Sequence, residues 1–404
     1  MNNPQENKIT LADNQDIVIA SGVQDLMKLI RPEWQSKNLV QRVKKLLPID
    51  PSSACQRLFN AAIHDLKKKI LIAGIDIAIE AANTNKLPHI NRPEDIEDYN
   101  VSKTIDLAYY MGLISRPVWR RITRVYDIRR DLEHEDDEYE ATIEDCFYIF
   151  KTAIESVLAK DPIELLRLTD IKEIVEQSSA ITLDHTLKDE YGSAPPVRQA
   201  EIYKFLISTS LSDKHPDVVR QNCYIAISAL SHITKDQVKI EVSQIYSEKV
   251  KRKGLDVFTA RISFASGILP YFKKSVLKTF YTSYLNHMKS IGYSFKSNNK
   301  HGDLLREFRE VGGLENCYDD ILHDLVEWLC LCYIGEHSYG RYESINKAFY
   351  SYSGAPLALE ILKNAKVKIS PFVSDLISKS KDIKNSCKWQ ACQRRSQEII
   401  DEIE

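Results

Sequence analysis

The chain has 404 residues, 43% of them hydrophobic, which exceeds one typical core and predicts two or three domains. Fifty-five Lys and Arg against 57 Asp and Glu give a net charge of −2, which excludes a protein that binds polyanions through its total charge. Thirteen glycines and 14 prolines are too few for turn-dense β structure, and the abundance of Leu, Ile, Lys and Glu predicts an all-α protein.

Residues 1–15 read as disordered, and two short helical patterns, 20–31 and 34–47, are split by Pro32. Together they make an N-terminal helical extension, 1–50, whose apolar faces are expected to pack on the next domain. The opening lacks a basic region ahead of a long apolar stretch, and the longest apolar run, 328–334, is far too short to cross a bilayer. A cytoplasmic protein without membrane contact is expected. Asp50 and Pro51 start a long amphipathic helix, with Leu58, Ala62, Leu66, Ile70, Ala73 and Ile77 on one face, running to about Ala82. His64 lies near that apolar side and reads as a core or boundary histidine. After a polar connection, a helix over 94–111 stops at Gly112, where a left-handed residue ends it. Ser115 and Pro117 open the next helix, to about His134, and a further one spans 138–159 before Asp161-Pro162. Four long helices on modest loops predict a bundle over 51–165.

Residues 166–200, polar and containing Pro, Gly and Ser, read as a linker. Helices are then expected over 197–211, 216–232, 235–250, 255–268, 270–291, 302–311, 316–334, 342–351 and 354–364. They form a C-terminal domain, 201–365, of irregular, solenoid-like character. A tail, 366–404, holds one or two helices.

The eight cysteines show no C-x-x-C pair and no zinc spacing with a histidine, so they read as reduced, buried thiols. No metal and no cofactor are expected.

The stretch 114–150 is distinct. It holds six arginines between Arg116 and Arg130, then nine carboxylates between Asp131 and Asp145, with His134 at the junction. At about 100° per residue, Val118, Ile122, Val125 and Leu132 share one narrow sector, the core face, and Arg129 falls inside it. A guanidinium turned to the core is costly unless it is paired, so its placement needs a cause other than solubility. Arg120, Arg124, Asp127 and Asp131 sit opposite and read as solvated charges. His134 lies roughly 140° from Arg129 on an ideal helix, so the two share a site only if the helix ends there or a second chain completes it.

The order GLIS, a basic helix, IRRDLEHE and a following amphipathic helix resembles the HEPN family, whose motif is R-x-x-x-x-H. Arg129 and His134 match its two fixed positions over a region of about 51–165. Arg130 stands where the family more often has Asn, another polar residue or His; Arg130 and Glu133 are the neighbours that can support the site. The resemblance implies a helical bundle and a dimeric, metal-independent endoribonuclease that leaves a cyclic phosphate. In it Arg129 orients the phosphate and His134 acts as acid and base. Such chemistry suits these residue types: imidazole titrates near neutrality, and guanidinium is a permanently charged fork for two oxygens. The run Glu133, Glu135, Asp136, Asp137 and Glu138 reads as a cap on the next helix rather than a metal site.

Residues 257–302 contain no acid, and their lysines alternate with aromatic residues. Lys273, Lys274 and Lys278, with Lys251, Arg252 and Lys253 upstream, are candidates for holding nucleic acid, with the aromatic rings stacking on bases. The expected function is cleavage of RNA by attack of the 2′-hydroxyl, in prokaryotic anti-phage defence or as a toxin, by a homodimer or higher homo-oligomer that answers to a protein trigger. The alternative is a non-catalytic helical scaffold that binds RNA or a protein partner.

Overall fold

A computed structural model describes residues 22–133, 142–339, 341–343 and 346–404. The fold is all-α apart from one small hairpin. Two compact units divide the chain: Met1–Ile171 with Ser193–Arg198, and Lys172–Gly192 with Gln199–Glu404.

In the first unit, α1 (Val23–Lys28), α2 (Pro32–Gln35) and α3 (Asn38–Leu46) precede α4 (Pro51–Ala73). Asp50 caps α4, its carboxylate accepting from the Ser53 amide at 2.9 Å, and Pro51 occupies the first helical position. Leu58, Ala62, Leu66, Ile70 and Ala73 are all buried. The helix predicted to reach Ala82 breaks at Gly74, whose φ of +126° is open to glycine alone, and α5 (Ile75–Thr84) starts afresh. His64 is exposed, not a core residue. Next come α6 (Val101–Tyr110), α7 (Arg116–Glu133) and α8 (Ile143–Ala153), the last running into a π turn, Ile154–Leu158. Helices α4, α6, α7 and α8 pack on one another around Leu58, Leu66, Ile122, Val125, Ile149 and Phe150.

Val23, Met27, Trp34, Val40 and Val43 of the N-terminal helices belong to the same core, so the described part of the extension is integral to the unit. A buried ionic knot holds it there. Asp65, 1% exposed, pairs with Arg31 and with Lys69 (2.8 Å), and accepts from the Trp34 indole at 2.7 Å. Both cations also donate to carbonyls at the end of the π turn: Lys69 Nζ to Val157 at 2.6 Å and Arg31 Nε to Leu158 at 3.3 Å. The short segment 193–198 joins this unit through Arg198, fully buried, which donates to the Leu166 carbonyl at 2.8 Å and pairs with Glu80 at 3.3 Å.

Residues 166–200, read from sequence as a linker, carry α9 (Leu168–Val175), α10 (His185–Ser193) and the start of α11 (Pro196–Ser210). Their polar backbone is satisfied by a buried side chain in α12 (Asp217–Leu230). Asn222 Nδ2 donates to the carbonyls of Val175, Gln177 and Ser179 at 3.0–3.1 Å, and its Oδ1 accepts from the Ile181 amide at 3.3 Å. The second unit continues with α13 (Asp236–Lys253), α14 (Val257–Ala265), α15 (Lys274–Ile291), α16 (Asn298–Glu310) and α17 (Asp319–Ile334).

The helix expected over 342–351 is absent among the described residues. In its place β1 (Ser338–Tyr339) pairs antiparallel with β2 (Tyr342–Glu343), and Glu336 and Phe349 exchange backbone hydrogen bonds at 2.9 and 2.7 Å. Gly335 makes this possible: at φ +78° a Cβ there would lie 2.5 Å from the Phe349 carbonyl oxygen. After α18 (Ala355–Asn364), the tail forms four helices rather than one or two: α19 (Lys366–Ile369), α20 (Val373–Lys379), α21 (Lys381–Ser386) and α22 (Gln390–Ile403). Ser380 divides two of them by capping the Ile383 amide at 3.2 Å. Among the described residues no helix is long and apolar enough to cross a membrane.

Candidate active site

The first turn of α7 closes through the Trp119 amide on the Ser115 carbonyl at 2.8 Å, and the Trp119 indole donates to Asp106 of α6 at 3.0 Å. These contacts fix the rotation of α7. Ile122 and Val125 are buried, Val118 is half-buried, and Arg129 is half-buried on the same face. Arg120, Asp127, Arg130 and Asp131 are exposed. Helix α7 is described as far as Glu133, and His134 is the next residue in the sequence. His134, the acids Glu135–Glu138 and Tyr139 lie outside the described residues, as do the side chains of Leu132 and Glu133. The structure thus places Arg129 and Arg130, while the Arg129–His134 geometry is not defined by it.

On the other side of Thr142, a capping box starts α8: Thr142 Oγ1 accepts from the Asp145 amide at 3.1 Å, and Asp145 accepts from the Thr142 amide at 3.3 Å. Between α7 and α8 runs a groove of about 750 Å³, edged by the cations Arg121, Arg124 and Lys151 and by the acids Glu144 and Asp145, with Ile128, Phe147 and Tyr148 exposing apolar surface. The Arg124 guanidinium lies 5.4 Å from the Tyr148 ring centroid and Lys151 Nζ 5.9 Å from that of Phe147. Arg124, read from sequence as a solvated charge, is therefore part of a concave surface. The spacing of Arg121, Arg124 and Ile128 on one strip of α7 was the available signal, but only with Phe147, Tyr148 and Lys151 of α8 opposite does it make a groove. Permanent cations beside aromatic faces suit a phosphate backbone and an unpaired base.

No family model, curated protein or solved structure matches the chain.

Elsewhere the picture is less favourable to nucleic acid. Lys273, Lys274 and Lys278 are exposed, as is Lys253 at the end of α13, while the side chains of Lys251 and Arg252 lie outside the described residues. Lys273 pairs with Glu248 at 3.5 Å, and Lys274 Nζ sits 5.6 Å from the Tyr318 ring centroid. The aromatic residues between these lysines do not form a stacking platform. Phe272, Phe280, Tyr281 and Tyr284 are buried, and the Tyr284 hydroxyl donates to the Leu304 carbonyl at 2.8 Å. The spacing of Phe280, Tyr281 and Tyr284 matches the core face of α15, and burial raises both tyrosine hydroxyls far above their ordinary titration range. A cavity of about 810 Å³ near Lys253 is lined by Asp213, Glu248 and Asp256 as well, a sign balance that does not select a polyanion.

All eight cysteines are free thiols, and all but the half-buried Cys387 are buried. Burial pushes Cys223 and Cys332 up to about 12, which keeps them protonated and unreactive at neutral pH. No cluster of three His, Cys, Asp or Glu suited to a metal occurs among the described residues.

Proposed function

We propose that the first unit is a HEPN-type endoribonuclease that cleaves RNA by attack of the ribose 2′-hydroxyl without a metal, and that it serves in anti-phage defence or as a toxin. The carrying observation is Arg129: a guanidinium held half-buried on the apolar face of α7, five residues before His134, on the helix that also lines a groove where three cations and two aromatic rings stand with two acids, Glu144 and Asp145. In this reading Arg129 stabilises charge developing on the phosphorus-centred transition state. His134 takes the 2′-proton and returns a proton to the leaving 5′-oxygen, so that one product ends in a 2′,3′-cyclic phosphate and the other in a 5′-hydroxyl. Arg121, Arg124 and Lys151 track the backbone, while Phe147 and Tyr148 offer faces to a base. Because the two motif residues diverge by roughly 140° on a continuous helix, a two-fold homodimer that brings both pairs to one cleft completes the site.

The test is incubation of purified protein with total RNA and a chelator, followed by analysis of the fragment ends. Cyclic phosphates are expected, lost in His134→Ala and in Arg129→Ala, and partly regained when the two variants are mixed. Undiminished cleavage by His134→Ala, or cleavage that stops with the chelator, overturns the reading.

A further inference from the structure

The hairpin inserted between α17 and α18 carries aromatic residues that the second unit leaves exposed or half-buried. Tyr342 is 72% exposed and Tyr352 70% exposed, in contrast to the core rings of α15. They are not scattered. Phe295, partly exposed, meets Tyr339 edge-on with centroids 4.7 Å apart and Tyr352 edge-on at 5.8 Å. Tyr339 stands directly opposite Tyr342 in the strand register, and directly opposed residues share a face of the hairpin. The four rings Tyr342, Tyr339, Phe295 and Tyr352 therefore form one connected surface.

Its base is rigid. Arg395 of α22 is held between Tyr333 and Tyr350, 4.1 and 3.8 Å from their ring centroids, and donates from Nε to the Tyr333 carbonyl at 2.8 Å; Tyr350 in turn packs on Tyr352 at 5.5 Å. Rings fixed in this way lose little freedom when a ligand arrives. The adjoining exposed charges are of one sign with a single exception. Lys296 follows Phe295, Arg341 precedes Tyr342, and Lys347 lies two residues before Phe349; all three are exposed. Glu343 is the exposed acid, whereas Glu336 is half-buried, its Oε1 accepting from the Phe295 amide at 3.2 Å. Exposed rings in contact, flanked by cations, fit a chain of planar bases joined by phosphates better than they fit an apolar or basic protein surface.

We propose that this aromatic hairpin surface binds single-stranded nucleic acid, with bases stacking on Tyr342 and Tyr352 and phosphates meeting Lys296 and Arg341. The site is separate from the α7–α8 groove and does not depend on the chain being a nuclease. It replaces the buried rings of α15 as the stacking element of the basic region.

The experiment is equilibrium binding of the full chain to a fluorescent 2′-O-methyl oligoribonucleotide, which has no 2′-hydroxyl to attack, so binding is read whether or not the protein cleaves RNA. Single-stranded DNA and a duplex of the same sequence are run beside it. Tyr342→Ala with Tyr352→Ala is expected to weaken single-strand binding at least about tenfold, since each lost stacking contact is worth that order. Tyr342→Phe with Tyr352→Phe retains affinity, because the π-face remains. Lys296→Ala with Arg341→Ala lowers affinity and flattens its salt dependence. All these side chains are exposed, and circular dichroism checks that each variant is folded. Unchanged affinity in the folded double alanine variant, equal or tighter binding of the duplex, or no binding of any single strand overturns the proposal. The last outcome would leave the surface to a protein partner.

Discussion

Asp65 is the single anion in a buried knot with two cations, and its removal should be among the costliest substitutions in the first unit. The side chains of Arg31 and Lys69 are about nine-tenths buried, at 10% and 8% exposure. Asp65→Ala leaves Lys69 with the Val157 carbonyl and Arg31 with the Leu158 carbonyl and the exposed Glu33 at 4.0 Å, and it strips the Trp34 indole of its acceptor. Breaking one buried pair costs about 3–5 kcal/mol and losing a hydrogen bond to a charged acceptor about 1.5–3 kcal/mol, so with overlap a loss of about 4–6 kcal/mol is expected. That approaches the whole margin of an ordinary domain, about 5–15 kcal/mol. The assay is denaturant unfolding with limited proteolysis, because the N-terminal helices that the knot secures should become cleavable first. Asp65→Asn, which keeps an acceptor but not the charge, should fall between wild type and alanine. The triple Arg31→Met, Asp65→Leu, Lys69→Met removes the charges together and should cost far less than Asp65→Ala. Lys69 adds a pH signature. Burial holds its pKa below the ordinary lysine value, opposed by Asp65. Without Asp65 the depression deepens, the unfolded chain binds more protons than the folded one, and stability rises with pH towards about 10.4. The alanine variant should thus regain stability on the alkaline side. A loss below about 1 kcal/mol, as for a surface substitution, or a triple as unstable as the alanine variant, would refute this account.

Thr142→Ala removes one half of the capping box and should cost about 1 kcal/mol, seen as faster amide exchange in the first turn of α8. Gly335→Ala forces a left-handed φ on alanine and drives its Cβ against the Phe349 carbonyl, so it should cost more than about 2 kcal/mol and loosen the hairpin, measured by thermal unfolding. Burial pushes Tyr203 and Tyr246 up to about 12, above their unfolded value near 10. Groups raised in the folded state lend stability that is complete below the unfolded pKa and is lost as pH climbs through the folded one. Denaturation midpoints of the second unit should therefore fall between about pH 10 and 12, with tyrosinate absorbance appearing at the unfolding transition.

The helical class and the face of α4 were legible because Leu58, Leu66 and Ile70 repeat with the helical period and the capping residues Asp50 and Pro51 mark the start. Breaks were legible only where their cause is local. Gly74 leaves no mark in the apolar pattern, which continues through Ile77 and Ala81, so the kink was invisible without the backbone angles. The polar stretch 168–192 misled for the opposite reason: its order comes from Asn222, more than forty residues away in sequence. The aromatic residues of 271–295 have one composition and two fates. Helical spacing buries those in α15, while Phe295 lies beyond the helix and meets the hairpin tyrosines, a contact no local pattern announces. At the candidate site, the core-facing position of Arg129 was readable from the angle it shares with Ile122 and Val125, whereas the α7–α8 groove needed two helices in register.

The π turn at Ile154–Leu158 has a consequence for how the chain can change length. Such a turn holds one residue more than an α-helical course over the same rise, and here the Ala159 amide reaches back to the Ile154 carbonyl at 2.8 Å. Deleting one residue within 154–158 would let the turn tighten to ordinary α geometry without rotating the helix on either side, whereas a deletion within Ile143–Ala153 would swing everything beyond it by about 100°. The surplus residue turns the carbonyls of Val157 and Leu158 towards Lys69 and Arg31, so the shortened helix should stay continuous yet lose its hold on the N-terminal helices.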